Sequence, residues 1–398
     1  MFERKFFYLA ISNALASVGT GVSMIALPWL IVSQYGVGDN TIYLLAGIVN
    51  LVLFLIVPFV GPIIDNSNRK YLMIIIRISF SLVVLLGLTF NGEIFNVPLT
   101  ILIYYFAGSL FYVVNIPTRT AFIKDLYRPS EYSRINSFLE AENQIAAVVT
   151  GVVAILLIER VSISQLALIN VLLYMLAIVL ISLIPYTTPH LHSEKQSGVQ
   201  LLSSGLEIVR YKSDQFALIA VGSLPYVVVI GFTIFHPAAI ATFENANSQT
   251  YALVETLFGL GAIVAGVSAA TLTDRIVDRA KFQLFLMSSF ALVCFAHVVF
   301  VNSFAFIILA FLLGFLNSTI RIVRTTQQMT LFSQNEIGRV GAFLQSWILG
   351  CRVLLIGCLA IFSKILSVQH LAGILTMVSV LALASLMYLN NKNYGEYQ

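Results

Sequence analysis

Apolar residues run along the chain in long blocks separated by short polar breaks, with no sustained two-residue alternation that would mark strands. Twelve blocks stand out at residues 6–34, 41–64, 71–90, 97–117, 135–158, 163–185, 215–240, 250–272, 281–301, 303–320, 340–364 and 367–390. Most reach the roughly 20 residues that a helix needs to cross the hydrocarbon core of a bilayer. Lipid offers no partner for backbone N–H and C=O groups, so each block is expected to be a helix, with kinks at Pro28, Pro58, Pro225 and Pro237. The longest polar interruption, Tyr186 to Asp214, holds His190, His192, Glu194, Lys195 and Gln196, then a helical-looking stretch from Leu201 to Lys212. It divides the chain into a six-helix half at 1–186, a linker at 187–213 and a second six-helix half at 214–398.

The halves echo one another. Arg119-Thr-Ala followed by Ser133-Arg134-Ile-Asn-Ser-Phe138-Leu139 returns 205 residues later as Arg324-Thr-Thr followed by Gly338-Arg339-Val-Gly-Ala-Phe343-Leu344. A charged hinge, Gly61-Pro-Ile-Ile-Asp65-Asn-Ser-Asn-Arg69-Lys70, has a counterpart 209 residues on, at Ala270 to Lys281, with Asp274, Arg275, Asp278 and Arg279. Duplicated six-helix bundles are a recurring way to build a carrier around a midplane site. The expected fold is therefore all-α, with twelve transmembrane helices in two pseudo-symmetric bundles.

Composition agrees: 59% of residues are hydrophobic, 10% are charged, and the mean hydropathy is +0.93. A soluble domain carries about 25% charged residues. The net charge of +4 becomes informative once sorted by side. With the N-terminus inside, eighteen of the 22 Lys and Arg residues fall on one side, which orients both termini toward the cytoplasm. The start, Met1-Phe-Glu-Arg4-Lys5, leads into an apolar stretch with no small-residue cleavage site, so the first helix is expected to stay. Cys294, Cys351 and Cys358 all lie in apolar blocks and read as inert thiols. His190 and His192 lack a nearby third ligand, so no metal site is expected.

Charges inside the spans are the informative chemistry, because each costs about 2.5–3.5 kcal/mol on insertion scales unless it meets a partner or a cavity. Glu140 and Glu142, two apart, point about 200° from one another. Asn143 and Gln144 extend their patch, and Glu255 lies in span eight. A carboxylate in a partly dry cavity is suited to carry a proton, so Glu142, Glu140 and Glu255 are the candidate proton-coupling residues. Permanent ion pairs with Arg77 or Arg352 are the competing account. Arg352 sits mid-span and needs a partner, either a glutamate or a cargo carboxylate, whereas Arg77 has a route to snorkel to the surface. In span one, Asn13, Ser17, Thr20 and Gly21 form one stripe, serving either a cavity or helix packing. Tyr112, Asn115, Tyr226, His236, Asn317, Gln345 and Trp347 complete the candidate substrate contacts. His236 and His297 lie near outer ends, where interfacial placement also accounts for them. There is no glycine-rich phosphate loop, Walker-type lysine, metal cluster or nucleophile elbow, which argues against ATP-driven transport by this chain and against an enzyme.

At the Gly61–Lys70 hinge the sequence resembles the major facilitator superfamily, whose signature between helices two and three reads Gly-x-x-x-Asp-Arg-x-x-Gly-Arg-Lys. Asn66 stands where the first base is expected, the second glycine is displaced, and Ala270 replaces the leading glycine in the second copy. Two passages, Ile116-Pro-Thr-Arg-Thr-Ala through Ser133-Arg-Ile-Asn-Ser-Phe and Phe216-Ala-Leu-Ile-Ala-Val-Gly-Ser-Leu, look like the macrolide-efflux-type drug:proton antiporters of Gram-positive bacteria. Exporters of siderophores and of opine metallophores such as staphylopine share this look. The resemblance implies alternating access in the plasma membrane by a monomer. It implies a cytoplasmic gate of Asp65, Arg69, Lys70, Arg119, Arg134, Asp274, Arg275, Arg324 and Arg339. Proton motive force replaces any cofactor; the partners are a small-molecule cargo, protons and the lipid bilayer, with no nucleic acid. The expected activity is proton-coupled efflux of a drug or endogenous metallophore, with Arg352 favouring a carboxylate-bearing cargo. An uptake permease of the same fold, or a non-transporting membrane receptor or enzyme, are the alternatives.

Overall fold

Among the described residues every apolar block forms helix, as a backbone with no water to bond must. The computed structural model describes residues 4–35, 39–89, 97–157, 163–187, 198–240, 248–274, 279–362 and 366–395. Among them run fifteen α-helices: α1 Arg4–Tyr35, α2 Asp39–Ile56, α3 Val60–Asp65, α4 Arg69–Thr89, α5 Val97–Leu126, α6 Tyr132–Leu157, α7 Ile163–Ser182, α8 Gly198–Tyr211, α9 Ser213–Val221, α10 Leu224–Ile240, α11 Ser248–Asp274, α12 Arg279–Val299, α13 Ser303–Leu331, α14 Ile337–Phe362 and α15 Val368–Gly395. Six segments among the described residues are long and apolar enough to cross a membrane by length and composition alone, and two shorter apolar helices accompany them.

The twelve expected spans map onto these helices, two of them in pieces. Pro58 removes a backbone donor and lies in a three-residue 3₁₀ turn, Val57–Phe59, between α2 and α3. The seventh span breaks at Gly222 and Ser223, just ahead of Pro225, into α9 and α10. The tenth span differs from expectation. Helix α13 does not stop at 320 but continues to Leu331, 29 residues in all. At 1.5 Å per residue that is about 44 Å, well beyond the hydrocarbon thickness. Arg321 and Arg324 are thus helical residues, not loop residues.

The chain divides into two units. Unit 1 comprises Met1–Tyr127, Glu142–Gly205 and Gln334–Ser346. In it α1 packs on α7 and α5, and α4 packs on α5 and α7. Its core holds Ala16, Phe80, Val84, Phe111, Ala167, Tyr174 and Ala177. Phe80, Phe111 and Tyr174 form a mutual ring cluster with centroids 5.0–5.6 Å apart.

Unit 2 comprises Arg128–Ala141, Leu206–Ser333 and Trp347–Gln398. Here α11 lies along α13, α12 against α15 and α13, and α10 against α15. The α11–α13 seam is glycine-dependent. A Cβ on Gly261 would strike the Phe311 carbonyl oxygen, and one on Gly314 would strike the Phe258 carbonyl oxygen. In lipid, where burying leucine against leucine offers little, such backbone approach is what drives helix association. Large apolar side chains face outward, including Leu172, Leu292, Leu354 and Met377, as expected of surfaces solvated by acyl chains.

Candidate functional site

In unit 1 the stripe of span one points inward. Ser12 and Asn13 are buried; the Ser12 hydroxyl donates to the Ala177 carbonyl at 2.6 Å, and the Thr20 and Tyr174 hydroxyls are hydrogen-bonded to each other. Ser17 is half-buried on the same helix. Arg77, on α4, shares its helix face with the buried Met73, Phe80 and Val84, so its side chain starts inside the bundle. Its exposure is 0%, and Nη2 donates to Asn13 Oδ1 at 3.3 Å. The snorkelling route expected from sequence is therefore not taken. Nε and Nη1 of Arg77 and Nδ2 of Asn13 are buried and have no hydrogen-bond partner among the described residues. A buried charge is costly unless paired and hydrogen-bonded, and Arg77 has one 3.3 Å bond to a neutral amide.

The charged end of unit 1 is tightly bonded. Asp65 accepts the backbone N–H groups of Gly338 at 2.6 Å and Arg339 at 3.0 Å, and Arg339 Nε at 3.0 Å. The carboxylate thus caps the first turn of α14 where the helix dipole favours an anion. A Cβ at position 338 would come 2.5 Å from Asp65 Oδ1, which explains the glycine there. Arg69 donates to Asp125 Oδ1 at 2.6 Å, to the Ala121 carbonyl at 3.0 Å and to the Gln334 carbonyl. Tyr186 donates to the other oxygen of Asp125 at 2.6 Å. Burial pushes the Tyr186 phenol above its ordinary range, and the bond to Asp125 pushes it further. Lys70 donates to the carbonyls of Ser182 and Ile184, both at 2.7 Å, at the C-terminus of α7. Arg119 reaches Asn143 Oδ1 at 3.2 Å. Arg275 lies outside the described residues, as does the side chain of Asp274. Glu142 and Asn115 are half-buried in unit 1, Gln345 is buried there, and Tyr112 is exposed.

In unit 2 Glu140 is buried, accepts the Ser318 hydroxyl at 2.9 Å and is ion-paired with Arg321. The sequence offers Arg77 or Arg352 as an ion-pair partner for the span glutamates; the partner of Glu140 is Arg321, which a span ending at 320 leaves outside the helix. Arg321 also lies over the Tyr226 ring, 5.6 Å from its centroid. Arg324 is buried beside Gly222 and Gln283, at the α9–α10 break. Trp347 donates to the Ala220 carbonyl at the same break, at 3.1 Å. Asn317 is buried, Arg352 is half-buried with its Nε enclosed, and Arg134 is exposed. Cys294 is buried, but Cys351 is half-buried and Cys358 exposed, so the thiols are not uniformly interior. His236 and His297 are both buried, with their rings stacked on one another.

Residues 9–347 match the sequence model of the Major Facilitator Superfamily. No curated protein matches the chain by sequence at a significant level. Among solved structures, a bacterial homologue of the iron transporter ferroportin in an outward-facing state is similar at a TM-score of 0.82 and 13% identity, covering 98% of this chain and 100% of that one. FucP, a transporter of the same superfamily in an outward conformation, gives 0.73 at 14% identity over 97% and 99%. The proton:xylose symporter XylE gives 0.69 at 12% identity over 96% and 94%. At such identities the likeness carries the all-helical fold and nothing of the cargo.

Proposed function

The chain belongs to the major facilitator superfamily and is a secondary transporter of that type, and from that premise we propose that it exports a small carboxylate-bearing organic molecule in exchange for protons. The carrying observation is Arg77, fully buried, with two guanidinium nitrogens lacking a partner among the described residues. A planar fork of donors in a dry bundle is suited to bidentate recognition of a carboxylate. A lipophilic cation would gain nothing from it. Metal-chelating metabolites carry such carboxylates, so a metallophore fits better than the usual hydrophobic drug. Asn13, Ser17, Asn143 and Arg352 serve as further cargo contacts. Glu142 and Glu255 lead as proton carriers, and Glu140 ranks behind them because Arg321 already neutralises it. Asp65, Arg69, Arg119 and Arg339 act as the cytoplasmic gate, and both termini lie in the cytoplasm of a monomer in the plasma membrane.

Two experiments test this. Metabolite profiles of medium from cells with and without the gene should show a carboxylate-bearing compound that accumulates outside only the competent cells. In proteoliposomes with an imposed proton gradient, Arg77→Gln should cut flux of that compound by about 10- to 100-fold, the worth of a charged hydrogen bond at roughly 1.5–3 kcal/mol. Full flux in a folded Arg77→Gln protein sinks the carboxylate assignment.

A further inference from the structure

Three groups on three helices of unit 2 meet at one end of the unit. His236 is four residues from the end of α10, His297 two from the end of α12, and Glu255 seven beyond the start of α11. His236 Nδ1 lies 3.8 Å from Glu255 Oε1. The two imidazoles are stacked, centroids 5.5 Å apart and planes 27° apart. Both histidines are buried, at 3% and 0% exposure, while the Glu255 side chain is 40% exposed. Phe232 and Phe306 pack against both rings, with centroids 4.7–5.9 Å away.

The hydrogen bonds fix part of the proton inventory. His297 Nδ1 faces the Val293 carbonyl at 2.9 Å, so Nδ1 carries the hydrogen and Nε2 is left as a bare acceptor. Nε2 of His236 and of His297 are both buried without a hydrogen-bond partner among the described residues. The other helices packed on α10 and α12 present no further described charge to the pair: α13 contributes the Phe306 ring, and α15 places Leu375 against Gly231 and Ser379 against Cys294. Two imidazolium rings stacked in an aromatic enclosure would repel one another, so the pair has room for one added proton.

We propose that His236 and His297, with Glu255 as the exposed carboxylate beside them, form a binding site for a single proton in unit 2. A proton arriving from solvent binds the Glu255 carboxylate and passes to a ring nitrogen of His236, leaving Glu255 ionised and paired with the imidazolium. His297 supplies the alternative acceptor nitrogen. One charge is added to the cluster in each cycle and removed when the proton leaves; no bond between heavy atoms changes. The inference rests on the antiport reading for its purpose. With the termini in the cytoplasm, the ends of the seventh and ninth spans (α10 and α12) and the start of the eighth (α11) face outward, so the site would be loaded from outside. A metal site is the rival occupant, but among the described residues no group of three His, Cys, Asp or Glu is disposed to hold an ion.

The chain has five histidines, which makes ¹⁵N-histidine NMR of the full-length protein in lipid nanodiscs tractable. Spectra of His236→Gln and His297→Gln assign the two pairs of ring nitrogens. The expected result is that the signals of His236 and His297 move together in one shared step. Glu255→Gln should shift that step in both sets of signals at once. Independent midpoints, each indifferent to loss of the other ring, overturn the proposal, as does the absence of titration. Stoichiometric binding of added Fe(II) or Zn(II) that freezes both signals overturns it in favour of a metal site. If a Gln variant fails to fold, the Asn variant at the same position supplies the missing assignment. The titration needs no cargo, so a failed export assay removes the transport reading while leaving this result intact. Proton-driven flux with no shared step does the reverse.

Discussion

Arg69 shows how one side chain can hold several segments at once. Its guanidinium spans Asp125, the Ala121 carbonyl and the Gln334 carbonyl, three acceptors that a fork can serve and a point charge cannot. Arg69→Lys should therefore lower the thermal unfolding midpoint in detergent, costing roughly 1–3 kcal/mol for the acceptors left unsatisfied; an unchanged midpoint would show the network to be ornamental. Tyr186 adds a pH signature. Because its phenol is held above the ordinary range, its contribution is complete below about pH 10 and is lost as pH climbs through the raised folded value. Tyr186→Phe should be less stable near neutrality and should lack that alkaline component. The sequence displayed Asp65, Arg69 and Lys70 as a charged hinge. It did not display the pairing of Asp125 with Arg69 and Tyr186, because hydrogen bonds between residues 56 and 61 positions apart leave no periodic trace.

Helix existence was readable from blocks of apolar residues; helix ends and helix neighbours were not. Drawing the tenth span to 320 followed the fall in hydropathy at Arg321, yet α13 runs on to Leu331 because a helix can outlast the hydrocarbon once its polar residues find partners. That one boundary hid the partner of Glu140. Nothing in the sequence pairs Gly261 of α11 with Gly314 of α13 as reciprocal glycines. The chain offers its own control. Gly357 and Gly373 have open space where a Cβ would sit. Gly314→Leu should destabilise the folded protein by several kcal/mol, as overpacking against a carbonyl cannot relax, whereas Gly357→Ala and Gly373→Ala should leave unfolding nearly unchanged. Equal losses at all three positions would mean that glycine serves backbone flexibility here and not approach.

At the scale of the whole molecule, the balance of Lys and Arg gives a prediction about topology. Tyr211, at the end of α8 and 86% exposed, should stand on the cytoplasmic side. In a background without the native cysteines, Tyr211→Cys should react with an impermeant maleimide only after cells are permeabilised; labelling of intact cells would invert the orientation. The 205-residue echo of Arg119 and Arg134 in Arg324 and Arg339 was legible in the sequence. Their environments were not: Arg119 bonds an amide, Arg134 is exposed, Arg324 is buried and Arg339 clasps Asp65. Repetition of sequence fixes where a charge recurs along the helix, while the neighbours that decide its use come from elsewhere in the chain. The Asp65 cap carries this to its end. Helix α14 begins on a carboxylate from 273 residues upstream. On a ribosome, Asp65 is made long before Gly338 emerges. The last steps of synthesis thus deliver a helix terminus to a receptor already in the membrane, and a nascent chain lacking Asp65 would finish translation with that terminus unclaimed.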